Sequence, residues 1–418
     1  MIMAAAMCSK TQWSAGSPEI RSLFPFFKNN PDLAYLDSAA TSQKLKGVIE
    51  KGCEFYSFYN APVSRSAHAL AFRDTEEFEK TREEVASFIR ADCEEIAFTS
   101  SATAAFNILA NSLGYVKDPA SPLYLAEGDE IVLSRSEHNS VLLPLQELAR
   151  RRGCVLKFLP MTEDGQVEGW KEAIGEKTKI VAVSRLSNVT GAFADIPSIA
   201  ETAHAAGAIV ISDICQAVAH EKVDVKALGI DFTGFSAHKI YGPTGLGFLY
   251  GRKDLFEQLP ASYFGGSMVD SAWENGQAIY KSAPQRFEAG TQPVAQVIAM
   301  QATFDFLKKD ISETALTERL MQASSIAHVK ILGPSSPAHR APILSFTVEG
   351  VHPHDVAQFM AVNGVAIRAG HQCAQILHRS FGAPSSSRAS LAPYNEPQEI
   401  DKFLNLLSEI RSYFTKGE

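Results

Sequence analysis

The stretch FSAHKIYGPTGLGFLYG, from Phe235 to Gly251, sets a strand pattern beside reactive side chains. DFTGFS, ending at Ser236, reads as a buried strand, and FLYG, ending at Gly251, reads as a second one. Between them His238 and Lys239 follow directly on Ser236 and Ala237, and Gly242, Pro243, Gly245 and Gly247 come after. Lysine is almost never fully buried unless it is paired. Lys239 is therefore placed at the mouth of a sheet, not on a solvated helix face. This stretch alone leaves two readings open. One is an ordinary strand–loop lysine; the other is a lysine made nucleophilic by desolvation and cationic neighbours, as Schiff-base lysines are.

Working outward, strand and helix patterns alternate after a loose N-terminus of about 15 to 30 residues. EEIAFTS reads as a strand and ATAAFNILANSLG as a helix closed by Gly114. EIVLS, VLKFLP, TKIVAVS and AIVISD are further strands, with helices at SVLLPLQELA and SIAETAHAAG between them. Such alternation predicts an α/β fold with a mostly parallel sheet covered on both faces. Ligands in such sheets bind beyond the carboxyl ends of the strands. Thr103, His138, Asp213 with Gln216, and Lys239 fall at those ends. After about Gly290 the texture changes. A long helix, QPVAQVIAMQATFDFLKKD, leads to strand ILSFTVEG, a helix around HDVAQFMAVNG, strand VAIRAG and a terminal helix DKFLNLLSEIRSYF, with PSSS near Ser385 as a loop. We expect a large domain over 31–290 and a smaller α+β domain made of 1–30 and 291–418.

Composition narrows the function classes. A chain of 418 residues exceeds what one core usually supports. A formal net charge of -8 argues against broad electrostatic binding to nucleic acid. The Arg150–Arg151–Arg152 cluster reads as a helix C-terminus complementing its dipole. No apolar run reaches membrane-spanning length, and MIMAAAMCSK lacks the basic start and full apolar run of a secretory signal. We expect a cytoplasmic enzyme with no nucleic-acid or membrane partner. The six cysteines show neither a CxxC pair nor other metal-like spacing, so neither a disulfide framework nor a metal site is expected. Cys373 stands apart, because RAGHQCAQ surrounds it with a cation, a glycine and a histidine.

An aldehyde cofactor such as pyridoxal phosphate needs an amine, a carboxylate for its ring nitrogen, a partner for its π face, phosphate donors and a clamp for the substrate carboxylate. Asp213 ends an apolar strand, where an unpaired carboxylate is costly. His138 follows strand EIVLS and is placed to stack on a ring. Thr103 begins a helix, a ready anion site, and Ser236 and His238 add donors. Singly, each has a plainer reading: a capped turn for Asp213, an ordinary first-turn residue for Thr103, a polar loop histidine for His138. Their joint placement at successive strand ends favours the cofactor reading.

The combination YLDSAATS, SEHNS, LSNVTG, SDICQA, SAHKIYGPTG, RFEAGT, RAGHQCAQ and SRASLAPYN resembles the group II cysteine desulfurases of the SufS/CsdA type, with selenocysteine lyases as close relatives. The match runs in order from about Tyr35 to Arg411, and the compact RAGHQC with YGPTG favours group II. The resemblance implies the aminotransferase-like fold (fold type I of the pyridoxal 5'-phosphate enzymes) and a homodimer with sites at the subunit interface. It implies that Lys239 is the cofactor lysine, that Asp213 pairs with the pyridine nitrogen and Gln216 with the phenolic oxygen, and that His138 stacks on the ring. Thr103, Ser236 and His238 would hold the phosphate, joined by Thr291 from the partner subunit. Asn188 and Arg388 would bind the substrate carboxylate, with Arg368 close by, and Cys373 would accept sulfur from L-cysteine as a thiolate.

The implied function is cysteine desulfuration to L-alanine, with sulfur passed to an acceptor protein of the SufE or SufU type for iron–sulfur cluster assembly. Selenocysteine lyase activity on L-selenocysteine is the alternative. Transamination and kynurenine cleavage need no thiol, and a docking platform has no use for all these groups together. The chain departs from the family at Ser64, Ala102 with Ala104 and Ala105, Ala237, Gln372 (a frequent histidine) and Ile376 (a frequent proline). None of these removes a core catalytic group.

Overall fold

We describe the protein from a computed structural model covering residues 14–64 and 66–415; residues 1–13, with Cys8 and part of the expected loose N-terminus, Arg65 and residues 416–418 lie outside the described residues. The large sheet has seven strands: β1 Ile96–Thr99, β2 Glu130–Leu133, β3 Val155–Phe158, β4 Thr178–Ala182, β5 Ile209–Asp213, β6 Phe232–Ser236 and β7 Gly247–Gly251. Their spatial order is β1-β7-β6-β5-β4-β2-β3, and β7 alone runs against its neighbours. Every residue of β5 and β6 is buried, so both faces of the sheet centre are covered. That is why these strands read as continuous apolar runs and do not alternate.

Helices α1 Ala69–Ile89, α2 Ala102–Tyr115, α3 Asn139–Arg152 and α4 Ile196–Ala205 belong to this layer. α3 stops at Gly153, whose φ of 69° is left-handed. Gly114 does not close α2 as expected, since the helix passes through it to Tyr115. Its lack of a side chain serves packing: a Cβ there would lie 3.4 Å from Leu148 Cδ1 of α3.

Beyond residue 290 the single long helix expected is two, α5 Val294–Ala299 and α6 Gln301–Leu307, joined at Met300. The Met300 N–H is shared between the Gln296 and Val297 carbonyls, which tightens the turn locally. A second sheet, antiparallel throughout, contains β8 Val329–Leu332, β9 Ile343–Val348, β10 Arg368–Gly370 and β11 Ser386–Ser390 in the order β8-β9-β11-β10. Helices α7 Pro353–Val362, α8 Gln375–Ser380 and α9 Pro397–Thr415 accompany it. VAIRAG, expected as one strand, divides: Val365–Ala366 pairs in parallel with Ala34–Tyr35, and β10 pairs with β11. Ser386 and Ser387, expected in a loop, lie in β11, where His378 Nε2 meets Ser386 Oγ at 2.9 Å and Ser387 Oγ donates to Pro353 C=O at 3.1 Å.

One apolar core gathers on the large sheet and includes Val294, Ile298 and Phe304 of α5 and α6; another, from Leu316 to Ile410 with Ala34 and Leu36, lies on the second sheet. The segment 14–30 is more ordered than expected. It carries helical turns at Pro18–Ser22 and Pro25–Asn29 because Ile20, Phe24 and Phe27 bury against Tyr241 and Tyr394. Among the described residues no helix is long and apolar enough to cross a membrane.

Gly247 opens β7 directly behind the start of α2, where an added Cβ would fall 2.4 Å from the Ser101 carbonyl carbon. Gly247→Ala should push the first turn of α2 off the sheet and destabilise the protein by about 1–3 kcal/mol. Denaturant unfolding of the variant, showing a lower midpoint at unchanged slope, checks this.

Candidate active site

The carboxyl ends of β5 and β6 meet the first turns of α2 and α3. After β6 the chain makes a single tight turn, Ala237–Lys239, leaving Lys239 half-buried at the sheet edge. Ser236 Oγ accepts the Ala102 N–H at 2.8 Å, and Ser101 Oγ accepts the Ala104 N–H at 3.1 Å, so α2 begins on a hydroxyl from the sheet and a cap of its own. Thr103 exposes its hydroxyl in the same first turn. His238 Nδ1 lies 3.2 Å from Thr41 Oγ1, and burial, helped by the charges of Lys239 and Lys44, pushes its pKa down to about 4. Lys44 donates to the His238 and Ser42 carbonyls at 2.9 and 2.7 Å, fixing the turn from behind. Its amine is lowered to about 8 by burial.

On the other side of Lys239, Asp213 Oδ1 accepts the Cys215 N–H at 2.8 Å, and Gln216 Nε2 donates to the Ala39 carbonyl at 2.9 Å. His138 caps α3, its Nδ1 accepting the Ser140 N–H at 3.1 Å. A backbone N–H can only donate, so the proton of the neutral imidazole is assigned to Nε2. Burial, then the Lys239 charge, lowers its pKa to about 4, against the pull of Asp213. Behind it, the fully buried Glu137 accepts Ser134 Oγ at 2.6 Å, the Ser184 N–H at 2.7 Å and Ser184 Oγ at 2.8 Å, bracing the ends of β2 and β4. Burial raises its pKa to about 7 despite these bonds.

The third wall comes from the second sheet. Arg388 of β11 is fully buried; one terminal nitrogen donates to the Asn188 carbonyl at 3.1 Å and the other to Asp37 Oδ1 at 3.2 Å. Burial raises the Asp37 pKa and lowers that of Arg388, so desolvation outweighs their mutual attraction on both sides. Arg368 stands opposite Arg388 across β10 and β11, exposed. The loop after β10 holds Gln372 and Cys373 at φ 51° and 57°, a left-handed pair without a glycine. Its carbonyls are pinned: Asn188 Nδ2 donates to that of Gln372 at 2.7 Å, and the Asn139 N–H to that of Cys373 at 2.9 Å.

One cavity brings Lys239, Ser236, His238 and Thr103 together with His138, Asn188, Arg368, Arg388 and Cys373. Asp213 and Gln216 are buried outside its lining, each hydrogen-bonded to a lining residue, Cys215 and Ala39 respectively. Thr291 is not part of it; it lines separate surface clefts with Gln292 and Pro293. The donor set fits pyridoxal phosphate: an amine, a buried carboxylate, a neutral imidazole and hydroxyls at a helix N-terminus surround one space. Asp37, Lys44 and Glu137 were not assigned from sequence, although Asp37 and Glu137 lie inside the motifs YLDSAATS and SEHNS. Among the described residues no group of His, Cys, Asp or Glu is placed to hold a metal ion.

The aminotransferase class-V family model matches residues 34–403. A probable cysteine desulfurase of Halalkalibacterium halodurans is 40% identical over 410 residues, 95% of this chain and 98% of the relative. The apo structure of a cysteine desulfurase from Thermococcus onnurineus NA1 superposes with a TM-score of 0.89 at 32% identity, covering 96% of this chain and 100% of that one. The cysteine desulfurase CsdA of Escherichia coli, in an S-sulfonic acid form, gives 0.84 at 33% identity over 94% of this chain and 98% of that one. The expected fold type I architecture is therefore the one this chain adopts.

A histidine held near 4 when folded and near 6.5 when unfolded makes the unfolded chain bind the extra proton between those values. Stability is full above pH 6.5 and is lost as pH falls toward 4. His138→Gln should flatten that acid-side loss by on the order of 2 kcal/mol. Unfolding free energies of both proteins between pH 4 and 7 measure it; identical slopes would show that folding does not lower the His138 pKa.

Proposed function

This chain belongs to the aminotransferase class-V family as a cysteine desulfurase dependent on pyridoxal 5'-phosphate, and we propose that it moves sulfur from L-cysteine onto Cys373 as a persulfide and releases L-alanine. The carrying observation is that Cys373 shares one cavity with Lys239, His138 and the Asn188–Arg388 pair. When bound, pyridoxal phosphate supplies an electron sink that lets bonds at the substrate's Cα and Cβ break heterolytically. Lys239 would hold the cofactor through its amine, and its Nζ would take the substrate's Cα proton and return one to Cα before L-alanine leaves. Asp213 would keep the ring nitrogen protonated, and Gln216 would donate its second N–H to the phenolic oxygen. Ser236, His238 and Thr103 would donate to the phosphate, and His138 would cover the ring, with Nε2–H as its free donor. Arg388, Asn188 and Arg368 orient the substrate carboxylate. The Cys373 thiolate attacks the substrate sulfur: an Sγ–S bond forms, the Cβ–S bond breaks with its pair on Cβ, and the proton of the substrate thiol ends on Cβ, leaving the persulfide as an anion.

The reading extends to a homodimer in which Thr291 reaches the partner's phosphate site. Supporting it, Thr291 lines a cleft with Tyr56, and Tyr56, Phe58 and Phe72 are 64%, 79% and 65% exposed. Such apolar exposure calls for cover. It also includes a cytoplasmic setting and delivery of persulfide sulfur to an acceptor of the SufE or SufU type for iron–sulfur cluster assembly, supported by the half-buried Cys373 beside the exposed His371. The division into 31–290 and a small domain of 1–30 with 291–418 belongs to the same reading, with α5 and α6 packed on the larger core as the link.

Cys373→Ala should bind the cofactor as the native protein does and lose at least about a hundredfold in alanine release from cysteine, since the thiolate is the nucleophile. Alanine formation at a near-native rate would sink the persulfide route. For the dimer, cofactor binding across the interface should stabilise assembly by linkage. Sedimentation at low concentration should show the cofactor-free protein dissociating first, and equal dissociation of both forms would count against Thr291 crossing over.

A further inference from the structure

Buried polar atoms without partners cost free energy in the free protein, and those lining a cavity describe what the cavity takes. Gln372 is 4% exposed and lines the active-site cavity, yet neither its Nε2 nor its Oε1 has a hydrogen-bond partner. Arg388, 2% exposed and lining the same cavity, leaves its Nε without one. Both residues are bound to Asn188: its side-chain nitrogen holds the Gln372 carbonyl, and its own carbonyl receives Arg388. The unpaired set is two donor atoms, Arg388 Nε with one N–H and Gln372 Nε2 with two, and one acceptor atom, Gln372 Oε1. Two donors suit a carboxylate, and one acceptor suits a hydrogen on the same small molecule.

We propose that the Gln372 side chain is a substrate contact, its Nε2–H gripping the α-carboxylate jointly with Arg388 Nε–H and its Oε1 taking a hydrogen from the amino acid's thiol or amine. The proposal rests on the desulfurase reading and names a residue it does not require. The backbone explains how the side chain is available. The loop is fixed through the Gln372 and Cys373 carbonyls, and its left-handed conformation is independent of the amide. The side chain is therefore not spent on holding the loop. A glutamine here also carries no charge, so this contact brings no titration of its own beside Cys373.

The test uses cofactor-loaded enzyme with Gln372→Met, which keeps an unbranched chain of similar length and removes the amide, and Gln372→Glu, which replaces its donor by an anion. If the amide exists for substrate, Met should leave the thermal midpoint unchanged or raised, because an unpaired buried amide has been removed. KM for L-cysteine should rise about tenfold with little change in kcat, as expected for a lost hydrogen bond to a charged group. Glu should raise KM further by repelling the carboxylate. Binding of L-alanine, followed by the visible spectrum of the bound cofactor, should weaken in the same order, a readout separate from turnover. Unchanged KM and alanine affinity in Gln372→Met would overturn the proposal, and so would a lower thermal midpoint with parallel loss of cofactor, which would make the amide a structural prop. If the native enzyme makes no alanine from cysteine, the desulfurase reading has failed; a native enzyme that does so while Gln372→Met matches it refutes the present inference alone.

Discussion

A guanidinium with almost no contact with water has to be neutralised where it stands, and in this protein that requirement falls on Arg388. Removing one partner of a buried ion pair typically costs about 3–5 kcal/mol, because the remaining charge is stranded. The partners here come from distant parts of the chain. Asp37 lies in the segment that follows the Ala34–Tyr35 pairing, the Asn188 carbonyl lies just beyond β4, and Arg388 itself lies on the second sheet. The charge is thus satisfied only when both sheets and the N-terminal segment are in register. Arg368, directly across from Arg388, would make a like-charge pair on adjacent strands, which disfavours the sheet. Asp37 feels both cations and offsets part of that repulsion. With one anion against two cations, this wall of the cavity is left net positive.

The opposite wall solves a different problem, the concentration of titratable groups beside Lys239. His138 and His238 are both depressed to about 4, in each case by burial first and by the Lys239 charge second. Both rings are therefore neutral at pH 7, and Lys239 has no imidazolium for a neighbour. Neutral rings have a definite donor and a definite acceptor, and His138 spends its acceptor on the Ser140 N–H at the head of α3. The same helix head holds the Cys373 carbonyl through the Asn139 N–H. The start of α3 thus sets the tautomer of His138 and the position of Cys373.

Much of this was legible in the sequence because it follows period and punctuation. The strands ending at Asp213 and Ser236 are apolar runs closed by polar residues, and the parallel order of the large sheet follows from their alternation with helices. The misreadings have local causes. Gly114 looks like a helix stop, but a glycine is equally suited to close helix packing against Leu148. Ser386 and Ser387 look like loop residues because serine is polar, yet they are buried between strands with His378 and the Pro353 carbonyl as partners. Asp37, Lys44 and Glu137 escaped assignment because each acts on a group far away in sequence or through a backbone carbonyl, and spacing carries no trace of such contacts. Family resemblance supplied the role expected of Cys373; it could not supply the carbonyl tethers that hold it.

Those tethers also explain why the departures from the family are tolerated. Two successive non-glycine residues in the left-handed region cost on the order of 1–3 kcal/mol each, so Gln372 and Cys373 keep that shape only where the surroundings impose it. The surroundings act on main-chain carbonyls, from Asn188 on one side and Asn139 on the other. A main-chain anchor is indifferent to the side chain it carries, so a glutamine in place of histidine at 372 leaves the loop geometry intact. Ile376 lies in the first turn of α8, where a proline would also fit because the N–H it lacks has no helical partner there. Ala102 loses a hydroxyl relative to the family, but the atom it contributes to the site is its N–H, held by Ser236 Oγ. At each of these positions the constraint acts on the backbone, which the substitutions leave unchanged.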